Sequence, residues 1–236
     1  MANDYFSFKQ FTVFQDRCAF KVGTDGVLLG ACADLSGAKK ILDIGTGTGL
    51  IALMLAQRST ADIFAIEPDG DSFRQACSNV AESKWNKRIE VENISLQDYN
   101  PDFLKFDLIV SNPPYFSDSL RNPDAGKAAA RHSDTLSNKD LLEGAVRLMT
   151  EGGRLQVIMP YVEGNILIAE AQEYGLYCNS SLKIKPLPTS EIRRLILTFS
   201  KQRQKATEKF LTIEHGRRHE FTEEYKNLTK DFYLKF

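Results

Sequence analysis

From residue 40 onward, short apolar segments alternate with longer segments in which apolar residues recur every three or four positions. The short segments have the length and composition of buried β-strands, whereas the longer ones have the spacing of amphipathic helices. Strands that alternate with helices predict right-handed crossovers and a parallel sheet with helices on both faces. The predicted strands are 40–44, 62–66, 89–92, 106–111, 154–159, 177–185 and 193–200, and the predicted helices are 50–57, 69–83, 138–149, 161–174 and 222–230.

The last two predicted strands, 177–185 and 193–200, differ from the others in how they are connected. Only a short segment containing Pro186-Leu187-Pro188 joins them, and a connection of that length permits antiparallel pairing. We therefore predict an α/β fold, with a doubly wound, mostly parallel, seven-stranded sheet that has an antiparallel C-terminal edge.

The first part of the chain does not follow this alternation. Six of its first twenty residues are aromatic, which predicts either a hairpin of strands near 8–11 and 18–21 or an aromatic flap. A helix is expected over 24–35, with the side chain of Thr24 or Asp25 as its N-cap.

The chain has 236 residues, of which 42% are apolar and 26% charged, so it can bury a full core. We expect a single domain over 1–236, with 1–35 as an N-terminal extension of strands and a helix. No apolar run approaches the roughly 18 residues that indicate a membrane span, and the pattern of a secretory signal is absent, so a cytoplasmic location is expected. The four scattered cysteines form no CxxC pair and no metal-like spacing with the three histidines, so we expect no metal.

A strand that runs into a glycine-spaced turn is the first candidate site. Asp43 is followed by Gly45, Gly47 and Gly49, directly before a predicted helix. Glycine lets backbone amides approach a ligand, and in open parallel sheets such a turn lies where ligands bind. A dinucleotide site prefers the spacing Gly-x-Gly-x-x-Gly and a pyrophosphate at the helix N-terminus. A carboxylate two residues before the first glycine instead suits a ligand with an ammonium, a sulfonium and no phosphate, which predicts S-adenosylmethionine as the cofactor.

Two further acidic residues follow the next predicted strands. Glu67 ends a strand about twenty residues after the glycine loop, where an acidic side chain can accept hydrogen bonds from both ribose hydroxyls. Asp98 follows the third strand, and its carboxylate could accept from the adenine amino group of the cofactor. Both residues are therefore candidate cofactor ligands.

The tetrapeptide Asn112-Pro113-Pro114-Tyr115 is the sharpest chemical motif in the chain. It follows a buried strand, and its two prolines fix φ, remove two backbone donors and hold the preceding residues extended. The Asn112 side-chain oxygen and the Pro113 carbonyl can each accept a hydrogen of an exocyclic amine, so that its lone pair faces the methyl donor. Tyr115 can stack on a flat substrate, a contact that contributes roughly 1–3 kcal/mol. The motif therefore predicts methylation of an amine.

These residues resemble the Asn-Pro-Pro-Tyr subgroup of class I methyltransferases and, within it, the bacterial tRNA1(Val) (adenine(37)-N6)-methyltransferase family. The resemblance implies a Rossmann-like fold and N6-methylation of the adenine 3′ of the anticodon in one valine tRNA. It extends across nearly the full length and rests on Phe8-x-x-Phe11, the segment from Lys21 to Gly30, the glycine loop, the segment from Ser111 to Phe116, Ala130-Arg131-His132, and Lys185-Pro186-Leu187-Pro188 before Arg193-Arg194.

Two segments have further expected roles, the first implied by the resemblance and the second indicated by its length and composition. Residues 21–25 correspond to a segment that covers the methionine end of the cofactor, where Asp25 can pair with the ammonium group. Residues 116–137 form a long segment without a secondary-structure pattern, and segments of that kind are often functional lids. Within it, Arg131 could bind RNA phosphate, whereas His132 is assigned no catalytic role.

The charge of the chain is uneven, although its net charge is only −1. Between residues 183 and 209 there are eight Lys or Arg and two acidic residues. A basic segment can mark a surface that faces a polyanion, and it can equally be a solvated face of ordinary strands. We expect Arg193, Arg194, Lys201 and Arg203 to bind the tRNA substrate, and we expect a monomer that contacts no membrane.

Other functions fit parts of the pattern. A release-factor glutamine methyltransferase would use the same tetrapeptide, but those enzymes carry a helical N-terminal domain, and only about forty strand-like residues precede the glycine loop here. An RNA guanine-N2 methyltransferase is compatible with the chain length, whereas a DNA adenine methyltransferase usually needs a target-recognition domain. A cofactor-bound RNA chaperone would gain nothing from the tetrapeptide, and the glycine spacing disfavours a dehydrogenase.

Overall fold

The computed structural model describes residues 3–18, 20–114 and 136–236. Its strands are β1 (Tyr5–Ser7), β2 (Thr12–Phe14), β3 (Lys40–Ile44), β4 (Asp62–Ile66), β5 (Ile89–Glu92), β6 (Phe106–Ser111), β7 (Met149–Pro160), β8 (Tyr177–Lys185), β9 (Arg194–Ser200) and β10 (Thr207–Thr212). Its α-helices are α1 (Thr24–Cys32), α2 (Leu50–Arg58), α3 (Gly70–Ala81), α4 (Asn138–Leu148), α5 (Tyr161–Ala171) and α6 (Glu223–Thr229).

One sheet of eight strands organises the described part of the chain, in the order β10-β8-β9-β7-β6-β3-β4-β5. All neighbouring strands are parallel except that β9 runs antiparallel to both β7 and β8. The predicted α/β class and the mostly parallel sheet are confirmed. The predicted strand count of seven is one too low, because β10 was not foreseen. Four of its six residues are exposed, so its sequence lacks the apolar pattern of a strand.

The helices cover both faces of the sheet and divide the core in two. Helices α1, α2 and α6 pack with the N-terminal aromatics on one face, whereas α4 and α5 pack on the other. The central strands are buried on both faces, which explains their nearly continuous apolar sequences. No helix in these described ranges is long and apolar enough to cross a membrane.

Helices α1 and α2 pack closely because two glycines of α1 face α2. A Cβ added at Gly26 would lie 3.1 Å from the Leu50 side chain, and one added at Gly30 would lie 2.9 Å from Cβ of Met54. The glycines therefore allow α1 to approach the helix that follows the glycine loop. This contact holds the N-terminal segment against the region of the candidate site.

The N-terminal hairpin exists, but not where the sequence predicted it. Strands β1 and β2 pair as Tyr5–Ser7 with Thr12–Phe14, and the predicted strand at 8–11 is the connecting turn, closed by a 2.8 Å hydrogen bond from the Phe8 amide to the Phe11 carbonyl. Helix α1 is also shorter than predicted, and its N-cap is Gly23, which contributes no side-chain hydrogen bond. The proposed capping by Thr24 or Asp25 is therefore wrong.

Candidate active site

The candidate site lies between β3 and β6, where the order in which the chain adds strands to the sheet reverses. From β3 the chain adds β4 and β5 on one side and then returns to add β6 and β7 on the other. The ends of β3 and β6 are adjacent, with Ile44 opposite Ser111, and the Ser111 hydroxyl donates to the Ile44 carbonyl at 3.0 Å. Ligands of open α/β sheets bind at such a switch point, outside the carboxyl ends of the strands.

The glycine loop follows β3 at this point, and one side of the loop faces open space. Gly45, Gly47 and Gly49 have φ values of 69°, 57° and 81°, a left-handed region that favours glycine. The Ile66 carbonyl at the end of β4 accepts the Gly45 amide at 2.9 Å and anchors the loop. A Cβ added at Gly45 or Gly47 would meet no atom within 4 Å. The loop therefore borders open space that a side chain would partly fill.

Asp43 is fully buried beneath this loop. Its Oδ2 accepts the Thr46 hydroxyl at 2.6 Å, whereas Oδ1 has no hydrogen-bond partner in the described ranges. Burial raises the pKa of the Asp43 carboxyl to about 7, and Thr46 and the backbone of Ala52 oppose this rise without forming a well-aligned hydrogen bond to Oδ1. A buried carboxylate oxygen without a partner is costly, so a cationic or hydrogen-bonding ligand nearby would stabilise it.

Glu67 follows β4 and connects the two neighbouring loops. Its two carboxylate oxygens accept the amides of Gly47 at 2.8 Å and Asp69 at 3.0 Å. Burial is the main cause that raises the pKa of Glu67 above its ordinary value, and the two amides oppose that rise. Each oxygen keeps a further lone pair, so the carboxylate can still accept hydroxyl groups.

The sequence interpretation missed two residues that support these acids. Thr46 holds Asp43, and the Asn93 side chain donates to the carbonyls of Glu67 at 2.7 Å and Pro68 at 3.0 Å. Asn93 directly follows β5, so its position at the carboxyl end of a parallel strand was a signal that could have identified it. Asp98 lies further along the same connection, is exposed, and accepts the Ser95 hydroxyl at 2.7 Å.

The end of β6 carries the first three residues of the tetrapeptide. Asn112 is half-buried, Pro113 is buried and Pro114 is exposed. Because Ser111 is paired with Ile44, Asn112 and Pro113 leave the sheet beside the glycine loop. Tyr115 lies outside the described residues, as do Arg131 and nearly all of the proposed lid at 116–137.

Asp25 is placed at the same edge of the sheet by α1. Its Oδ2 accepts Nε of Arg194 at 2.7 Å, and both side chains are partly buried, with 25% and 34% exposure. The structure therefore brings together one residue assigned to the cofactor and one assigned to RNA. The ion pair joins the beginning of α1 to the beginning of β9.

The four basic residues assigned to RNA do not share one surface. Because β9 runs antiparallel to β7, Arg193 and Arg194 lie at the carboxyl edge of the sheet, whereas Lys201 and Arg203 follow the end of β9 at the opposite edge. Lys201 lies 3.7 Å from the Glu151 carboxylate, and the Arg203 guanidinium lies 5.9 Å from the Tyr177 ring centroid. Six strand residues, 195–200, at roughly 3.3 Å each, separate the two pairs.

The polar groups and the shape of the site fit S-adenosylmethionine. The unpartnered buried oxygen of Asp43 suits a cationic ligand, the Glu67 carboxylate suits ribose hydroxyls, and the open side of the glycine loop leaves room for the ligand. No group of three or more His, Cys, Asp or Glu in the described residues could hold a metal ion.

Comparisons with known proteins agree with this geometry. The family model described as the methyltransferase small domain matches residues 18–164. A predicted O-methyltransferase from Agrobacterium tumefaciens superposes with a TM-score of 0.66 at 21% identity, covering 88% of this chain and 96% of that one. P. horikoshii TYW2 in complex with MeSAdo superposes with a TM-score of 0.59 at 16% identity, covering 86% and 74%. These structural likenesses support the fold, and the matching family model together with the site defines a class I methyltransferase that uses S-adenosylmethionine.

More similar sequences narrow the class. The chain is 48% identical to the tRNA1(Val) (adenine(37)-N6)-methyltransferase of Trichodesmium erythraeum (strain IMS101), over 240 residues that cover all of both chains. It is 50% identical to the protein of the same name from Phocaeicola vulgatus over 234 residues, 99% of each chain. The chain belongs to the tRNA1(Val) (adenine(37)-N6)-methyltransferase family.

Proposed function

We propose that this enzyme transfers a methyl group from S-adenosylmethionine to the exocyclic N6 amine of adenine 37 in tRNA1(Val). The observation that carries the proposal is the placement of Asn112 and Pro113 at the end of β6, beside the glycine loop that follows β3. The identity of the relatives supplies the particular tRNA and nucleotide.

The chain's own residues orient the amine. The Asn112 side-chain oxygen and the Pro113 carbonyl accept one amine hydrogen each, which directs the nitrogen lone pair away from them and toward the methyl donor. S-adenosylmethionine, when bound, supplies an electrophilic methyl group on its sulfonium. The methyl–sulfonium bond would break as the N–C bond forms, and the nitrogen, then cationic, would release one proton to water, while the Asn112 side-chain oxygen and the Pro113 carbonyl accept hydrogen bonds from its N–H groups until that proton leaves. Tyr115 stacks on the adenine, which has to leave its stack to reach the site.

The cofactor is held by residues of three successive loops. Asp43 stabilises the cationic methionine end, with the glycine amides of Gly45, Gly47 and Gly49 around it. Glu67 accepts the ribose hydroxyls, and Asp98 accepts the adenine amino group. Asp25, already paired with Arg194, contributes its carboxylate to the ammonium. These roles follow from burial, loop geometry and the chemistry of the cofactor.

The RNA contacts are proposed at the catalytic edge. Arg193 lies there and Arg131 belongs to the adjoining segment, so both are proposed to bind phosphate. We propose that the enzyme is a monomer and that it acts in the cytoplasm. Lys201 and Arg203 lie at the opposite edge of the sheet, so any contact that they make with the RNA lies away from the site of methyl transfer.

The test replaces Asn112 by alanine and measures methyl transfer with labelled S-adenosylmethionine and total tRNA, followed by nucleoside mass spectrometry. We expect turnover to fall at least about 100-fold, because an acceptor of the reacting amine is lost. Cofactor affinity, measured by calorimetry, should change by no more than a few-fold. Asn227→Ala, an exposed asparagine on α6, is the matched control and should leave both quantities unchanged.

Two outcomes would contradict the proposal. Turnover of Asn112→Ala within a few-fold of the wild type would remove the amine-orienting role. Detection of N2-methylguanine, or of methylglutamine in a protein substrate, in place of N6-methyladenine would replace the substrate assignment with one of the two alternative methyltransferases.

A further inference from the structure

A tyrosine that has no role in the function proposed above follows the strand next to β6, and it lies beside Arg193, for which phosphate binding is proposed above. Strand β7 is the neighbour of β6, and it continues three residues past the level of Ser111, from Val157 to Pro160. Tyr161 follows as the first residue of α5. With neighbouring strands about 4.8 Å apart and a rise of about 3.3 Å per residue, Tyr161 begins its helix at the end of the strand next to β6, four residues beyond the level of Ser111.

Arg193 is fixed to the same place by the backbone. The Tyr161 amide donates to the Arg193 carbonyl at 3.2 Å, and Pro160 is paired with Arg194 in the sheet. The two side chains therefore start from adjoining points on the carboxyl edge, Tyr161 at the end of the strand next to β6 and Arg193 at the start of the second strand from it.

Both side chains are available to a ligand. Tyr161 is 41% exposed, and Arg193 is exposed and makes no ion pair within the described ranges. Arg194, its neighbour, is instead engaged by Asp25. The acidic residues close in sequence are Glu163, which is half-buried, and Glu191, which is exposed.

We propose that Tyr161 and Arg193 form a second contact surface for the RNA, in which Tyr161 stacks on an unpaired base beside the target adenine and Arg193 binds an adjacent phosphate. This inference rests on the proposed function. A target base that leaves its stack exposes the faces of its neighbours, and an exposed aromatic ring can replace the lost stacking at any base. An arginine beside it supplies the charge that a phosphate requires.

A protein partner is the competing occupant of this edge. Val162 and Ile166, at 64% and 48% exposure, continue the apolar surface along α5. The RNA is favoured because a polynucleotide whose adenine reaches Asn112 must place its adjoining nucleotides along the same edge of the sheet, where Tyr161 and Arg193 lie one and two strands away from β6. The basic side chain at this point also matches a polyanion.

The experiment measures KM and kcat for tRNA, and the salt dependence of tRNA affinity, in three single variants and two control variants. Tyr161→Ala should raise KM for tRNA about tenfold, which equals about 1.4 kcal/mol, with kcat within about twofold and cofactor affinity unchanged. Tyr161→Phe should restore the wild-type KM, because stacking needs the ring and not the hydroxyl. Arg193→Gln should also raise KM, and it should lower the slope of log affinity against log salt by about 0.7 to 0.9, whereas Tyr161→Ala should not change the slope.

Matched controls lie at the opposite edge of the sheet. Phe103, which is fully exposed in the connection that leads into β6, is the aromatic control, and Lys205, which is exposed in the connection that follows β9, is the basic one. Phe103→Ala and Lys205→Gln should leave KM unchanged.

The inference fails if Tyr161→Ala and Arg193→Gln change KM no more than the two controls while the wild type is active on tRNA. It also fails if Tyr161→Ala leaves KM unchanged but alters the mass of the protein in solution, because the edge would then be a protein interface. If the wild type transferred no methyl group to tRNA at all, the proposed function would be wrong and this inference would be wrong with it.

Discussion

Gly37 and Gly45 have almost the same backbone conformation, with φ of 71° and 69°, and they lie at opposite ends of β3. A Cβ at either position would meet no atom within 4 Å. The two residues therefore differ in location and not in local strain. Gly45 borders the proposed cofactor space, whereas Gly37 lies in the turn that leads into the strand.

Alanine variants of Gly37 and Gly45 distinguish the effect of backbone strain from the effect of a methyl group in the cofactor space. Gly37→Ala and Gly45→Ala should each lower the free energy of unfolding by about 1–2 kcal/mol, since an L residue is strained in the left-handed region. Only Gly45→Ala should also weaken the binding of S-adenosylmethionine, by at least about tenfold, because its methyl group enters the open side of the loop. Urea unfolding and calorimetry measure the two effects. Equal cofactor affinity in both variants would show that the cofactor does not approach Gly45.

At the scale of elements, the site depends on how α1 is held against α2. Helix α2 follows the glycine loop, and α1 begins with Asp25 at the edge where Arg194 starts β9. The close contact of α1 with α2 is possible only because Gly26 and Gly30 carry no side chain. One helix–helix contact thus positions both the loop and the Asp25 carboxylate.

Gly30→Val tests that contact. Its Cβ would lie 2.7 Å from Sδ and 2.9 Å from Cβ of Met54, so we expect a loss of about 1–3 kcal/mol in the free energy of unfolding. The control is Gly70→Val at the start of α3, where the added Cβ would lie 3.5 Å from the nearest atom, on the Arg74 side chain. Both changes favour helix by a few tenths of a kcal/mol, so only the clash distinguishes them. Similar denaturation midpoints for the two variants would contradict the close packing.

At the scale of the whole molecule, the two ends of the chain stabilise each other. The Lys9 amide donates to the Phe232 carbonyl at 2.8 Å, and the Tyr233 ring lies 6.0 Å from the ring of Phe8 and stacks on it. Phe232 itself is 2% exposed within the larger core. The N-terminal hairpin, too small to be stable alone, is therefore held by the C-terminal segment.

Phe232→Ala should lower the free energy of unfolding by about 3–5 kcal/mol, because it leaves a cavity in this core. In this variant, hydrogen exchange of the β1 and β2 amides should also be faster than in the wild type, since the hairpin loses its support. Leu234→Ala, at a residue that is 63% exposed, should change the stability by less than about 0.5 kcal/mol. Unchanged exchange in the hairpin of Phe232→Ala would show that the hairpin is held by other contacts.

The sequence alone specified the alternation of strands and helices from residue 40, the glycine loop with Asp43 and Glu67, and the strand that ends at Ser111, directly before Asn112. These features depend on the spacing of apolar residues and on local backbone chemistry, which a short segment carries within itself. The predicted bounds accordingly agree with the structure to within one or two residues for most elements, such as α2 and β9. The class, the cofactor and the family followed from the same local motifs. The single domain over 1–236 and the monomer stay predictions.

Contacts between residues that are far apart in the sequence depend on the tertiary structure. It added β10, whose exposed residues carry no strand pattern but whose backbone completes the edge of the sheet beside β8. It paired Asp25 with Arg194, 169 positions away. It also separated Arg193 from Lys201 and Arg203, because the direction of β9 depends on its partners β7 and β8 and not on its own sequence. Strand direction is a property of the assembled sheet, and for that reason the basic segment that looks continuous in the sequence faces two opposite edges in the folded protein.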